Sequence, residues 1–378
     1  MKVLHIISGL KRGGAETAMV RQIGATLAKV SHRVVSLTDA AAYGRPLEEM
    51  GIPVDYLAMR GPRDMVAIVR RLVGIVKESQ PDVVHTWMYH ADLLGGLAGR
   101  FAGVPVVWSI RSVDLERGSS RTTRMIQRAC ALLSRRLPRR IICVAQAARV
   151  AHVAVGYDDS RMVVVPNGYD LAVFHERAAA ALELRRKLGI AEDELVLGCV
   201  GRFDPAKDYQ GFTKACAALA TGFPTLRVLI VGRQVTPDNA ALREWIADAG
   251  MTGRFVLVGE QDDVPLHLAA MDVFCLPSCT EAFPNVVVEA MLMARPCVVT
   301  DVGDAAVIIG ETGVVVPPED PPRLAAALSD MLRLSPATRS AMGERARERA
   351  RAQYSMETML ERIDGVYQAA IKSWRERG

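Results

Sequence analysis

Along most of the chain, short runs of β-branched and aliphatic residues alternate with longer stretches whose apolar positions recur every three or four residues. The first pattern belongs to strands buried on both faces and the second to helices that cover them, so the alternation predicts parallel sheets in an α/β fold. Strands are expected near residues 3–7, 33–37, 82–85, 106–110, 141–144 and 162–165, and the pattern restarts near 195–200, 227–231, 255–258, 273–276 and 297–300. A chain of 378 residues exceeds what one hydrophobic core usually serves, which predicts two doubly wound domains. They are expected at 1–177 and 189–354, with a linker at 178–188 and a C-terminal helix at 355–378 that is free to cross back to the first domain. Ligands of open wound sheets lie beyond the carboxyl ends of the strands, so the two sets of strand-to-helix loops are expected to face one central cleft.

Composition removes several classes. The hydrophobic share of 50% and charged share of 24% are globular, with no biased tract. Seven cysteines sit mainly in apolar runs without a CxxC pair, which predicts buried thiols in a reducing compartment and no metal cluster. The N-terminal apolar run is too short for a signal peptide, and none approaches the ~20 residues that span a bilayer, so a cytoplasmic protein is expected.

Charge adds an asymmetry to this picture. Residues 1–177 carry 25 Lys+Arg against 15 Asp+Glu, whereas the remainder carries 22 against 27. The excess is densest from Arg111 to Arg140, where Arg117, Arg121, Arg124, Arg128, Arg135, Arg136 and Arg139 are interleaved with Met125, Ile126, Leu132 and Leu133. Such a strip is either a solvated helix face or a surface that lies on anionic lipid at the inner face of the cytoplasmic membrane. Nucleic acid is a poorer partner, because few aromatics accompany the arginines.

The chemistry concentrates in the second half. After the strand at 273–276 comes PSCTEAFPNVVVEAM (277–291), in which Pro284 suits the first turn of a helix whose N-terminus favours an anion. Glu281 precedes that helix and Glu289 lies about one and a half turns inside it. Taken singly, each is also an ordinary helix or surface charge; together, they suit sugar hydroxyls on either side of a phosphate. Arg202, directly after a strand, and Lys207, opening the next helix, supply positive charge for a diphosphate. In the first half, GLKRGGAE (9–16) opens a helix without being a dinucleotide or P-loop motif, and HTWMYHAD (85–92) offers Trp87 and Tyr89 for sugar stacking and His90 for an acceptor hydroxyl.

Arg202, Lys207, the Glu281-x7-Glu289 spacing, the run PCVVTDVG at 296–303, Gly13-Gly14 and Pro166-Asn167-Gly168 together resemble the retaining glycosyltransferase family 4, and the likeness covers nearly the whole chain. The resemblance implies the GT-B fold, with two Rossmann-like domains. It also implies that Arg202 and Lys207 hold the donor diphosphate, Glu281 the donor-sugar hydroxyls and Glu289 the ribose, while the backbone of Ala282, Phe283, Pro284, Asn285, Val286 and Val287 closes on sugar and phosphate. Gly13 and Gly14 become donor contacts, and Gly232, Arg233, Gly259 and Glu260 contacts of the base. Two alanines, Ala282 and Ala294, stand where the family often has glycine, and Arg111 stands where many members have a histidine; an arginine there cannot act as a base but can bind a phosphate or an acceptor oxygen.

The resulting expectation is a retaining transferase that moves a sugar from a nucleotide donor, UDP-linked in the first instance, to an acceptor hydroxyl, with a lipid-linked glycan of bacterial polysaccharide synthesis as the leading acceptor and a small soluble one as the alternative. No cofactor or metal is expected, since there is no DxD-type motif and the arginine, lysine and helix terminus can neutralise the diphosphate. Competing readings are a nucleotide-sugar epimerase, an NAD-dependent oxidoreductase and a sugar-nucleotide-binding protein without turnover.

Overall fold

The computed structural model describes residues 1–11, 13–113 and 120–376. They form two compact units, Met1–Gly168 with Met356–Gly378, and Tyr169–Ser355.

The first unit is built on a wholly parallel sheet. Its strands are β1 (Lys2–Ile7), β2 (Ser31–Ser36), β3 (Val54–Tyr56), β4 (Val83–Trp87), β5 (Val106–Ile110), β6 (Arg140–Cys143) and β7 (Met162–Val164), in the order β3-β2-β1-β4-β5-β6-β7. Val3, Leu4, Ile6 and Ile7 of β1 are all buried, as the continuous apolar run requires of a central strand covered on both faces. The helix Met356–Arg375 supplies one cover: Met356, Met359, Ile363, Val366, Tyr367 and Ala370, which fall on one helical face, pack on Val3, Val83, Val107 and Ile142.

The second unit repeats the plan with β8 (Val196–Val200), β9 (Arg227–Val231), β10 (Phe255–Leu257), β11 (Val273–Leu276), β12 (Cys297–Thr300) and β13 (Val314–Val316), again parallel, in the order β10-β9-β8-β11-β12-β13. Phe212, Cys216 and Leu219 of one covering helix share a core with Leu324, Leu328 and Met331 of another, against Leu197 and Val228 of the sheet. Both units therefore have the Rossmann-like winding, in which the order reverses between β1 and β4 and between β8 and β11. Crevices at such reversals are where wound sheets take ligands.

Three local expectations are corrected. β3 and β13 were not foreseen: each is a three-residue edge strand with partly exposed side chains, too short to show a period. The helix after β11 runs Asn285–Leu292, with Pro284 as its cap rather than its first turn. Lys207 closes a one-turn 3₁₀ segment, Pro205–Lys207, and the next helix begins only at Tyr209, after Asp208 at a left-handed φ of 44°. All seven cysteines are free and six are buried. Among the described residues, no helix is long and apolar enough to cross a membrane.

Candidate functional site

In the second unit, the loops that follow the strands are sewn together by backbone hydrogen bonds at the carboxyl edge of the sheet. The Gly201 N–H donates to Val231 O (2.9 Å), Phe203 N–H to Arg233 O (2.9 Å) and Gly232 N–H to Gly259 O (2.8 Å), which joins the loops after β8, β9 and β10. On the other side of the reversal, Cys279 N–H donates to Ala206 O (2.9 Å) and Asp304 N–H to Ala282 O (3.0 Å). Two glycines make this closeness possible. A Cβ on Gly232, whose φ is +156°, would lie 1.8 Å from Gly201 O, and one on Gly303, at φ +56°, would lie 2.4 Å from Ala282 O.

This seam brings Arg202, Lys207, Gly232, Arg233, Gly259, Glu260 and the 281–287 segment onto one edge. Lys207 and Glu281, 74 residues apart, form a short ion pair between side chains mostly withdrawn from solvent, because β8 and β11 are neighbours. Glu281 Oε1 also accepts from Ser278 Oγ at 2.8 Å. Arg202 is 59% exposed and its Nε donates to Asp204 Oδ2 at 3.0 Å. The other oxygen of Asp204 accepts from Ala206 N–H (3.0 Å), capping the turn that carries Lys207, and this bond, followed by the Arg202 charge, keeps the Asp204 carboxyl below its ordinary pKa. One carboxylate thus braces both cations. The helix Asn285–Leu292 has no side-chain cap at Pro284, and its first residue is anchored where Tyr169 O–H donates to Asn285 Oδ1 (2.7 Å). Phe283 is buried edge-on to Tyr354, whereas Ala282, Val286 and Glu289 are half-buried.

In the first unit, Gly13 caps the helix Gly14–Thr26 in extended backbone, and among the described residues nothing lies within 4 Å of a Cβ built on Gly14, so the backbone there is open to close approach. Arg12 and Arg117 lie outside the described residues. His90 is the second residue of the helix Tyr89–Ala102 and lines a small cavity of about 50 Å³ with Met59, Pro62, Met65, Leu94 and Ile126. Burial there lowers its pKa. Arg111 follows β5 and lies over the Trp87 ring, 4.8 Å from its centroid.

Residues 12–173 match the family described as Glycosyltransferase Family 4, and residues 194–333 that described as Glycosyl transferases group 1. The D-inositol 3-phosphate glycosyltransferase of Geodermatophilus obscurus is 30% identical over 96% of this chain and 82% of its own. The chain belongs to glycosyltransferase family 4. A UDP-Gal:alpha-D-GlcNAc-diphosphoundecaprenol alpha-1,3-galactosyltransferase of Escherichia coli is 28% identical over 64% of this chain and 62% of its own. Anabaena HepE, solved in complex with UDP, has the same fold: TM-score 0.87 over 98% of this chain and 100% of that one, at 23% identity. The fold is GT-B.

Two residues of this glycosyltransferase do not sit as the sequence reading expected. Trp87 and Tyr89 are not available for stacking on a sugar. β4 runs two residues past the expected end, which turns Trp87 into the core with its indole N–H on His5 Nδ1 (3.2 Å); Tyr89 is buried against His152 and Ser112, to which its hydroxyl bonds at 2.8 and 2.9 Å. Conversely, Asp204 and Ser278, which hold Arg202 and Glu281 from two and three positions away, carried no separate signal, and Asn167, which holds Arg111 from 56 positions away, stood out only as part of the Pro166-Asn167-Gly168 motif.

Proposed function

We propose that this family 4 enzyme transfers a sugar from a UDP-linked donor, with retention of anomeric configuration, to the hydroxyl of a lipid-linked acceptor at the inner surface of the cytoplasmic membrane. The observation that carries the donor half is the Lys207–Glu281 pair beside Arg202 and an uncapped helix N-terminus on one sewn edge. In this reading, Arg202, Lys207 and the helix terminus take the diphosphate, Glu281 exchanges its lysine for sugar hydroxyls, and Glu289 holds the ribose. Gly232, Arg233, Gly259 and Glu260 face the base, and Gly13 and Gly14 approach the phosphates. The acceptor oxygen attacks the anomeric carbon on the face from which the nucleotide departs; the C–O bond to phosphate breaks as the new one forms, and the leaving phosphate oxygen takes the acceptor proton. The growing charge on that oxygen is what the two cations stabilise. HepE was crystallised with UDP, and the E. coli relative acts on a diphosphoundecaprenol-linked sugar; both support this choice of donor and acceptor. Incubation with UDP-, GDP- and ADP-sugars and mass spectrometry of the products tests it: UDP-sugar turnover that survives EDTA is expected, and turnover of GDP-sugars alone, or loss with EDTA, would reject the donor assignment.

The membrane half rests on the helix Arg121–Leu133. Arg121, Met125, Arg128 and Leu132 fall at i, i+4, i+7 and i+11, one exposed stripe of alternating basic and apolar side chains, with Met125 70% and Leu132 80% exposed. No acidic residue occurs between Glu116 and Asp158. Such a stripe can sink its methionine and leucine among acyl chains while the arginines stay at the headgroups. At ~1 kcal/mol per basic residue, replacing Arg121, Arg124 and Arg128 by glutamine is expected to weaken binding to anionic liposomes about 100-fold at low salt. Failure of the wild-type protein to sediment with such liposomes would remove this half.

A further inference from the structure

The chain passes between the two units twice, after Gly168 and after Ser355. On the side of the second unit the two passages are bound to each other: Tyr169 N–H donates to Tyr354 O (2.9 Å), and Tyr169 and Ser355 form a parallel bridge. On the side of the first unit, Gly168 N–H donates to Met359 Sδ (3.0 Å), just beyond the second passage. Each passage carries a buried aromatic residue of the second unit, Tyr169 in one and Tyr354 in the other.

Both aromatics also touch the segment proposed to close on sugar and phosphate. Tyr169 Oη donates to Asn285 Oδ1 at 2.7 Å, at the first residue of the helix Asn285–Leu292, and its ring is held edge-on to Phe174, with centroids 6.0 Å apart. The Tyr354 ring stands edge-on to Phe283, 5.7 Å between centroids. Tyr354 is the last residue of the helix Pro336–Tyr354, and that helix lies antiparallel along Asn285–Leu292. Gly343 passes the end of the shorter helix so closely that a Cβ there would lie 2.0 Å from Ala294 O, while Tyr354 reaches Phe283 just before its start. The donor helix is therefore clamped at both ends by the helix that leads into one passage, and its first residue is held from the other passage. Close-packed contacts of this kind shift together and do not yield one at a time. Burial of the helix does not depend on them, since Val287, Val288 and Met291 already fill the space beneath it. What the Tyr169 hydroxyl adds is the direction of the uncapped N-terminus.

We infer that Tyr169 and Tyr354 are positioning residues of the donor site, which tie the N-terminus of Asn285–Leu292 to both passages, so that a nucleotide held at that terminus is registered where the chain runs between the units. The inference rests on the transferase reading for the identity of the ligand and adds to it the two residues that carry its occupancy elsewhere.

Hydrogen–deuterium exchange on the full-length protein, with and without excess UDP, tests this over residues 283–292, 167–174 and 352–358. In the wild type, UDP is expected to slow exchange in all three segments. Tyr169→Phe removes only the hydroxyl; it should speed exchange at 283–292 without nucleotide, weaken UDP about fivefold and confine the protection by UDP to 283–292. Tyr354→Leu should do the same through the loss of its ring. Combining Tyr169→Phe with Asn285→Ala should weaken UDP no further than the worse single change, since both break one contact. Leu328→Val, in the core shared with Phe212, serves as the stability control: it should lower Tm but keep wild-type UDP affinity and wild-type exchange in the three segments. Wild-type exchange and affinity in both tyrosine variants, equal losses in Leu328→Val, or protection in the wild type that stops at 283–292 would overturn the inference. A wild-type protein that binds no UDP would sink the transferase reading instead, and the exchange of Tyr169→Phe without nucleotide then decides the bracing by itself.

Discussion

Replacing Lys207 by alanine is expected to lower UDP-sugar turnover by about 10²–10³-fold, the usual effect of removing one preorganised group from a developing negative charge. The loss should fall mainly on kcat, since the charge on the leaving phosphate grows only as the glycosidic bond breaks. The geometry makes the site intolerant of the change in a second way. Glu281 is now balanced by Lys207; without it, the carboxylate keeps only the Ser278 hydroxyl and sits uncompensated beside the place proposed for a diphosphate. A double-mutant cycle exposes this coupling: Lys207→Ala with Glu281→Gln should cost much less than the two single losses combined. Steady-state UDP release, with UDP affinity measured alongside, reads both effects. Turnover within fivefold of wild type in Lys207→Ala would remove the lysine from the chemistry and leave it as a structural partner of Glu281.

The strands were legible because parallel, doubly covered strands must be continuously apolar, and the central ones here are. Edge strands escape that rule: β3 is Val54-Asp55-Tyr56, half-exposed, and β13 has Val315 open to solvent. The candidate donor residues stood out for a related reason, since most of them lie in the segments that follow strands, where wound sheets gather their ligands. What the chain does not spell out is adjacency. Lys207 meets Glu281 because β8 and β11 are neighbours, a consequence of strand order that no local pattern encodes. The failures at Trp87 and Tyr89 have the same origin, for ending β4 two residues early turned a core indole into an apparent surface ring. Arg111 was visible as a departure from the family, but its neutral acceptors, Ser109 and Asn167, appear only in the fold.

Acidification from pH 7 to pH 5 is expected to destabilise the first unit by several kcal/mol and to lower its Tm by about 10 °C. Five of the seven histidines lie in that unit, and two of them, His5 and His32, form a closed hydrogen-bond order with no room for another proton. The Trp87 indole N–H donates to His5 Nδ1 (3.2 Å), which leaves His5 Nε2 to donate to His32 Nδ1 (3.0 Å) and His32 Nε2 to donate to Thr26 Oγ1 (2.9 Å); the threonine hydroxyl passes on to Gln22 O (2.7 Å). A proton added to His5 or His32 would set two donors against each other. His85, bonded through Nδ1 to Tyr367 Oη (2.7 Å), is buried close by. Burial, then the neighbouring His85 and His32, drives the His5 pKa far below its ordinary 6.5; burial and then Arg111 do so for His85; burial brings His32 to about 4. An imidazole whose folded pKa is depressed takes up protons only when unfolded over the interval between the two values, so stability is full above pH 6.5 and falls as the pH drops toward 4. At pH 5 each of the three contributes a loss of about 2 kcal/mol. Asp92 opposes them: burial raises its carboxyl pKa well above the ordinary 3.8, so acidification favours the fold at that residue and offsets part of the loss. Tryptophan fluorescence follows the first unit selectively, because Trp87, Trp108 and Trp374 belong to it and only Trp245 to the other. His32→Gln keeps an acceptor for His5 and a donor for Thr26 while removing one titrating ring, and should reduce the pH dependence by about 2 kcal/mol. A Tm unchanged between pH 7 and pH 5, or a slope untouched by His32→Gln, would mean that the three rings are not held neutral together.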